Sequence, residues 1–488
     1  MSLRTMIKGG FTMKKMIAGL LCGCMIAASL TGCGKAPASD GGATEKAASA
    51  ETEKAADKTA DKTEASSDSG SKVINVWSFT DEVPKMIEKY KELHPDFDYE
   101  IKTTIIATTD GAYQPALDQA LAAGGSDAPD IYCAEAAFVL KYTQGDASRY
   151  AAPYEDLGID ADGKIKSSEI AQYAVDIGTN PDGKVVALGY QATGGAFIYR
   201  RSIAKDTWGT DDPKEIGAKL GAGTNDWTQF FNAAEELKGK GYGIVSGDGD
   251  IWHAVENSSD KGWIVDGKLN IDPKREAFLD LSKKLKDNGY HNDTQDWQDA
   301  WFADMKGEGA KPILGFFGPA WLINYTMAPN CGGTAVGEGT FGDWAVCDSP
   351  IGFFWGGTWV LANKDTKVKD AVADIVEWIT LDDAEDSLQY MWANGTMNDA
   401  GTKDAVASGT VMSKSDGSVD FLGGQNMFEV FVPANKYANG TNLTQYDETI
   451  NNYWRGQVRE YTAGNKSREQ AITDFKQQVA DNLDIIVE

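Results

Sequence analysis

Cysteine, histidine and positive charge are all scarce in this 488-residue chain. Three of its six cysteines fall within the first 33 residues, which leaves Cys133, Cys331 and Cys347 for the body of the protein. That is too few for a disulfide scaffold, and only a Cys331–Cys347 bridge stays open. The three histidines, His94, His253 and His291, show no metal-ligand spacing and are expected on the surface. Lys and Arg number 46 against 73 Asp and Glu, a formal charge of −27. A chain of that sign repels phosphate backbones, so no nucleic-acid partner is expected and polyanionic substrates are disfavoured. Apart from one stretch near the N-terminus, no apolar run approaches the roughly 20 residues of a membrane-spanning helix. A wholly disordered chain is excluded as well: 42% hydrophobic and 10% aromatic content supports a large core, and the length predicts two or three domains.

The N-terminus stands apart. Arg4, Lys8, Lys14 and Lys15 precede the apolar stretch Met16 to Leu30, with no acid among the first 33 residues. This is the pattern of a secretory signal peptide over residues 1–32, with Met13 an alternative start. It ends in Leu30-Thr31-Gly32-Cys33, which resembles the bacterial lipobox, where the cysteine is lipidated and becomes the mature N-terminus. Two or more acyl chains there would anchor the protein to the cell membrane. From Gly34 to Lys72 there is no aromatic, Val, Ile, Leu or Met, so nothing offsets the entropy of ordering. Residues 33–72 are therefore expected to be a lipidated cysteine and a tether, with a coil span of about 34 Å. The leader carries four positive charges and the tether a net −2, which leaves −29 on residues 73–488.

Strands and helices alternate through that body, which predicts parallel α/β layers. Val73 to Trp77 reads as a strand, followed by capping residues and a helix carrying Met86, Ile87, Tyr90 and Leu93. A second strand runs to Ile106, a helix from Pro115 to Ala123 stops at Gly124-Gly125, and a third strand opens at Asp130. Further on, strands are expected at 196–199 and 311–316, and helices at 226–238, 273–287 and 368–379, with a largely helical C-terminus from Thr449.

In this order the chain resembles family 1 extracellular solute-binding proteins, the carbohydrate-capturing lipoproteins of bacterial ABC importers. The residues that carry the resemblance are Val76-Trp77-Ser78-Phe79-Thr80, Ala128-Pro129-Asp130-Ile131, Phe197-Ile198-Tyr199, Phe317-Gly318-Pro319-Ala320-Trp321, Gly356-Gly357-Thr358 and Tyr453-Trp454 through Ala471. Arg200 and Arg201 depart from the family, which has Asn or Asp after the tyrosine matching Tyr199. The resemblance implies a two-lobe periplasmic-binding-protein-like α/β fold of type II, with hinge crossovers and a ligand cleft between the lobes. The expected N-terminal lobe is 73–185 with 310–365, and the C-terminal lobe 186–309 with 366–488. The implied partners are a neutral sugar, expected to be an oligosaccharide, and the permease subunits of an ABC importer, bound by an extracellular monomer with no cofactor and no catalytic residue.

A pyranose presents C–H faces that pack on aromatic planes and hydroxyls that need fixed donors and acceptors. Phe79, Glu82 and Glu135 fall where the family lines its cleft, after the first strand and after the Pro-Asp-Ile strand. Trp355 sits beside glycines, of which Gly357 permits close backbone approach, while Tyr190, Trp252, Trp321 and Trp454 are candidate stacking plates. Core packing is the competing reading for each aromatic, Trp359 included. Asp160, Asp162 and Glu169 resemble part of a calcium loop, but Gly158 stands where the first ligand belongs, so no metal is expected. Gly337 to Gly342 matches G-x-G-x-x-G without the flanking strand and helix of a dinucleotide site. Two rivals remain: a secreted glycoside hydrolase with a carboxylate pair in the cleft, and a binding protein of the same fold for a polyol or other neutral solute.

Overall fold

A computed structural model describes residues 72–108 and 111–488. The leader, Cys33 and all but the last residue of the tether lie outside the described residues. Among those described, no helix is long and apolar enough to cross a membrane.

Two sheets organise the chain. The first has the order β2-β1-β3-β8-β4, built from β1 (Val73–Ser78), β2 (Glu100–Ile105), β3 (Ile131–Glu135), β4 (Ala187–Gly189) and β8 (Thr358–Ala362). β1 runs parallel to β2 and β3, whereas β8 is antiparallel to both β3 and β4. Helices α1 (Glu82–Leu93), α2 (Tyr113–Ala123), α3 (Val139–Thr143) and, late in the chain, a helix at Lys369–Thr380 cover this sheet. Alternate residues of each strand serve different faces. Ile131, Cys133 and Val360 join the core with Met86 and Val372, while Tyr132, Ala134, Trp359 and Leu361 pack with Leu117 and Tyr142. The inner strands β3 and β8 are buried on both faces and are accordingly near-continuous apolar runs, whereas β1 alternates and the edge strand β2 is largely exposed. Trp359 resolves as core: it is 1% exposed and its indole N–H donates to the Ala174 carbonyl at 3.1 Å.

The second sheet is antiparallel, with β5 (Ala196–Arg200) between β6 (Gly315–Gly318) and β7 (Trp344–Cys347). It is packed by helices that include α4 (Gly249–Asn257), α6 (Asp447–Thr462) and α7 (Arg468–Asn482), the Lys369–Thr380 helix being α5. The expected lobe boundaries change here. The strands at 315–318 and 344–347 ladder onto β5 and not onto the first sheet, and α5 packs against β8 and α1. Hydrophobic pattern reveals that a strand is buried, not which sheet buries it.

Two connections cross between the sheets, from β4 to β5 and from β7 to β8. They lie side by side: Gly195 N–H donates to Phe353 O at 2.8 Å and Trp355 N–H to Thr193 O at 3.1 Å. A third passage, near Asn435, joins them, its side-chain carbonyl accepting from Gly194 N–H at 2.9 Å.

Other expectations are corrected locally. Cys133, Cys331 and Cys347 are free and buried, and the Cys331 thiol donates to the Ala328 carbonyl, so no 331–347 bridge forms. His291 is buried at 6% exposure, not on the surface. The Asp160 carboxylate caps a helix at Ala161–Ser167 by accepting from Gly163 N–H at 3.1 Å. That cap, with the Asp-Gly pair in the first turn, is what the calcium-loop resemblance reflects. Arg200 and Arg201 bind locally, Arg200 Nε donating to Asp343 at 2.7 Å and Arg201 Nε to the Trp344 carbonyl at 3.0 Å.

Candidate functional site

A cavity opens where the crossovers, the end of β3, α4 and the start of α6 meet. Each element delivers its side chains for a local reason. β3 ends at Glu135, whose carboxylate accepts from the Ala137 N–H at 2.8 Å and so is aimed past the strand end. In the β7–β8 crossover, Gly356 and Gly357 have φ of +72° and +114°. A side chain at Gly357 would both meet the Trp359 ring at 3.1 Å and adopt a left-handed backbone, so only glycine fits. That turn presents Trp355 to the cavity.

Trp355 lies flat on His253 from α4, centroids 4.4 Å apart and planes at 20°. Trp321 meets Trp355 edge-on at 4.9 Å and donates its indole N–H to the Trp355 carbonyl at 2.9 Å. Trp297 continues the wall, parallel to Trp321 within 8° at 6.2 Å, and it is 50% exposed. Inserting a ring between two aromatic planes takes about twice the 3.5–4.0 Å carbon contact distance. At 6.2 Å the two indoles therefore form a ledge to lie against, not a slot.

The polar groups of α6 line the same cavity as Trp355. Asp447, Asn451 and Arg455 recur every four residues and form one stripe, while Ile450, Trp454 and Val458 form the neighbouring buried stripe. Arg455 grips Asp296 with two N–H donors at 2.5 and 3.2 Å. Burial opposes the Asp296 charge, yet Arg455 overrides it and holds the carboxyl below its usual range. Asn451 donates to Glu256 at 2.6 Å and accepts from the Trp263 indole at 2.7 Å. Burial also opposes the Glu256 charge, but His253, 3.7 Å away, with Arg275 and Asn451, keeps that group lowered.

Three carboxyls behave differently. Burial pushes Glu135 up to about 7, with the charge of Glu448 adding to it. Burial likewise raises Asp447 to about 7 and shifts Glu448 upward. Asp447 Oδ1 accepts from the Thr444 N–H and hydroxyl, but Oδ2 is buried with no partner. Such groups are poised to accept hydrogen bonds from something placed in the cavity.

Of the residues expected from sequence, the cavity brings together Glu135, Trp252 and Trp355, with Trp321 against Trp355 and Gly357 supporting the turn. Trp252 contributes little surface, at 1% exposure. Tyr190 and Trp454 are corrected: both are 0% exposed and serve the cores, Tyr190 against Trp392 and Trp454 against Trp263 and Phe475. Phe79 packs edge-on to Tyr113 and Phe138 below the end of β3, outside the cavity lining. Glu82 opens a separate hollow with Tyr325 and Trp392, where burial and Asp404 push it up to about 8. His253, Trp297, Asp447, Asn451 and Arg455 were missed. For the α6 group the four-residue polar spacing beside an apolar stripe was a usable signal; for His253 and Trp297 there was none.

Residues 77–386 match the family model for bacterial extracellular solute-binding proteins. No curated protein sequence matches the chain. Among solved structures, an extracellular solute-binding protein of family 1 is similar at 18% identity and TM-score 0.64, over 84% of this chain and 99% of that one. An ABC transporter-associated binding protein from B. animalis subsp. lactis Bl-04, solved with beta-1,6-galactobiose, gives 19% identity and TM-score 0.57, over 84% and 97%. The galacto-N-biose/lacto-N-biose I-binding protein of Bifidobacterium longum, solved with lacto-N-biose, gives 15% and 0.60, over 85% and 98%. At these identities the likeness establishes the fold: two α/β lobes joined by crossovers.

Proposed function

The chain belongs to the bacterial extracellular solute-binding proteins, and from that premise we propose that it captures an oligosaccharide bearing no negative charge and delivers it to an ABC importer. One observation carries the proposal: Trp355, with Trp321 and Trp297 ranged beside it, shares one cavity at the lobe crossovers with the hydrogen-bonding groups of Glu135, Asp447 and Glu448. Sugar faces pack on the ledge and hydroxyls donate to Glu135, Asp447 and Glu448. The cleft draws on elements of both lobes, so a ligand gains most contacts in the closed form and shifts the open–closed equilibrium by that difference. The lobes are held outside the membrane by Cys33, lipidated after removal of residues 1–32, with the Gly34–Lys72 tether as spacer. The protein acts as a monomer, and closure creates the surface that the permease subunits read.

The family's members are binding proteins, and this chain is proposed to release its ligand unaltered. A thermal-shift screen of the full chain against oligosaccharides, with product analysis of each hit, tests both points. A ligand at 100 times its Kd adds about 2.7 kcal/mol of stability. Stabilisation with intact sugar is expected. Shortened sugar would establish a hydrolase, and stabilisation by polyols alone would replace the sugar reading.

A further inference from the structure

Charge at the cleft is unbalanced in a particular place. Arg455 is consumed by Asp296, both of its bonds going to that carboxylate. Arg275 is buried over the Trp263 ring at 4.6 Å, and its field reaches Glu256 and Asp447 from behind the cavity. Among the described residues no Lys or Arg forms an ion pair with Glu135 or Glu448, and the charge of Glu448 adds to that of Glu135. Glu135 accepts from Ala137 N–H at 2.8 Å, with Ala136 N–H assisting, and Glu448 accepts from Gln114 Nε2 at 3.3 Å, so the donors that reach them are all neutral. Next to Glu448 on α6, Asp447 lines the same cavity, is 5% exposed and has its Oδ2 buried without a hydrogen-bond partner. No lysine lines this cavity.

We propose that the ligand carries a primary amine, seated as an ammonium among Glu135, Asp447 and Glu448 while its ring lies on the Trp355 ledge. A hydroxyl offers one donor and no charge, whereas an ammonium offers three donors and the counter-charge these acceptors lack. The ligand class is then an amino sugar with a free amine, in place of a fully neutral or an anionic glycan. This inference rests on the sugar-binding reading above.

Titration calorimetry on the full chain separates the two claims, using the β-1,4-linked glucosamine disaccharide, its N-acetylated counterpart, β-1,6-galactobiose and a glucuronic acid-containing disaccharide. The free-amine sugar is expected to bind about tenfold tighter than its acetylated form, and the glucuronide weakest. In a Glu135→Gln, Glu448→Gln double variant the amine preference should collapse to within about twofold. Equal or tighter binding of the acetylated sugar or galactobiose overturns the amine and leaves the sugar reading standing. So does a preference that survives the double variant, and so does a glucuronide that binds as well as the amine, a comparison that needs only the unaltered chain. Failure of every glycan to bind overturns both.

Discussion

Two clusters of tryptophan lie on either side of α4 and α6, and ring geometry does not tell them apart. Trp321 and Trp355 meet edge-on at 4.9 Å, and Trp454 meets Phe475 edge-on at the same 4.9 Å. What differs is the backbone beneath. Trp454 belongs to the apolar stripe Ile450–Trp454–Val458 of a regular helix and is 0% exposed. Trp355 sits in a crossover followed by glycines at positive φ and packs only partly buried against the edges of both cores, and Trp297 beside it is 50% exposed. Aromatic content therefore marks where a large ring is useful, and the path of the chain decides whether solvent or core receives it.

Breaking the buried cluster should have the largest effect. Trp454→Ala is expected to cost about 3–5 kcal/mol in urea unfolding. Trp454→Phe should cost far less, because it keeps the contact with Trp263 and removes an indole N–H that has no partner. A near-neutral alanine variant would refute the core assignment.

Next in size is the pH response that the cleft has and the tryptophan core lacks. Glu135 and Asp447, both raised to about 7, hold protons in the folded state that the unfolded chain has already released. Their contribution to stability should therefore be present in full below about pH 4 and fall as pH rises toward 7, by at most about 1.4 kcal/mol per pH unit for each group. Glu82, raised to about 8, extends the fall by a further unit. Glu135→Gln should flatten part of that slope in denaturation midpoints taken from pH 5 to 8; an unchanged slope would place the titrating groups elsewhere.

The ledge itself gives a smaller, differently placed effect. Trp355→Ala should weaken ligand binding about tenfold in calorimetry, with only a modest drop in Tm. If Tm falls as far as in Trp454→Ala, the two clusters are not distinct in kind. Smallest of all, Trp297 has φ of +66°, a conformation costly to a bulky residue. Trp297→Gly relieves that strain at the expense of backbone entropy, so stability should rise by less than about 1 kcal/mol while sugar affinity drops.

Much of the first sheet was legible. The strand at Val73–Ser78 and the helix at Glu82–Leu93 fall where the pattern put them, because the strand is rich in β-branched residues and the helix buries Val83, Met86, Ile87 and Tyr90 at helical spacing. The strand expected at 311–316 is displaced to Gly315–Gly318, because Pro312 and its neighbours precede the ladder with β5. The helix expected over 273–287 is divided at Ala277. Short elements such as Ala187–Gly189 carried too few residues for any period to register. Of the site, Glu135 and Trp355 were readable because strand ends and glycine-flanked aromatics have recognisable contexts. His253 and Asp296 were not, since each matters only through a partner far away in sequence, Trp355 and Arg455.

The sequence by itself determined the α/β layering, the acidic character and the family, because period, composition and capping act over a few residues at a time. Only the tertiary structure decided which strands share a sheet, that the two crossovers pair between Thr193 and Trp355, and which tryptophans reach solvent. Those outcomes depend on non-local pairing, where the gain from burying one segment is set by the shape of another. The cleft is made by that pairing: Glu135, His253, Trp355 and Asp447 meet there from four separate stretches of chain.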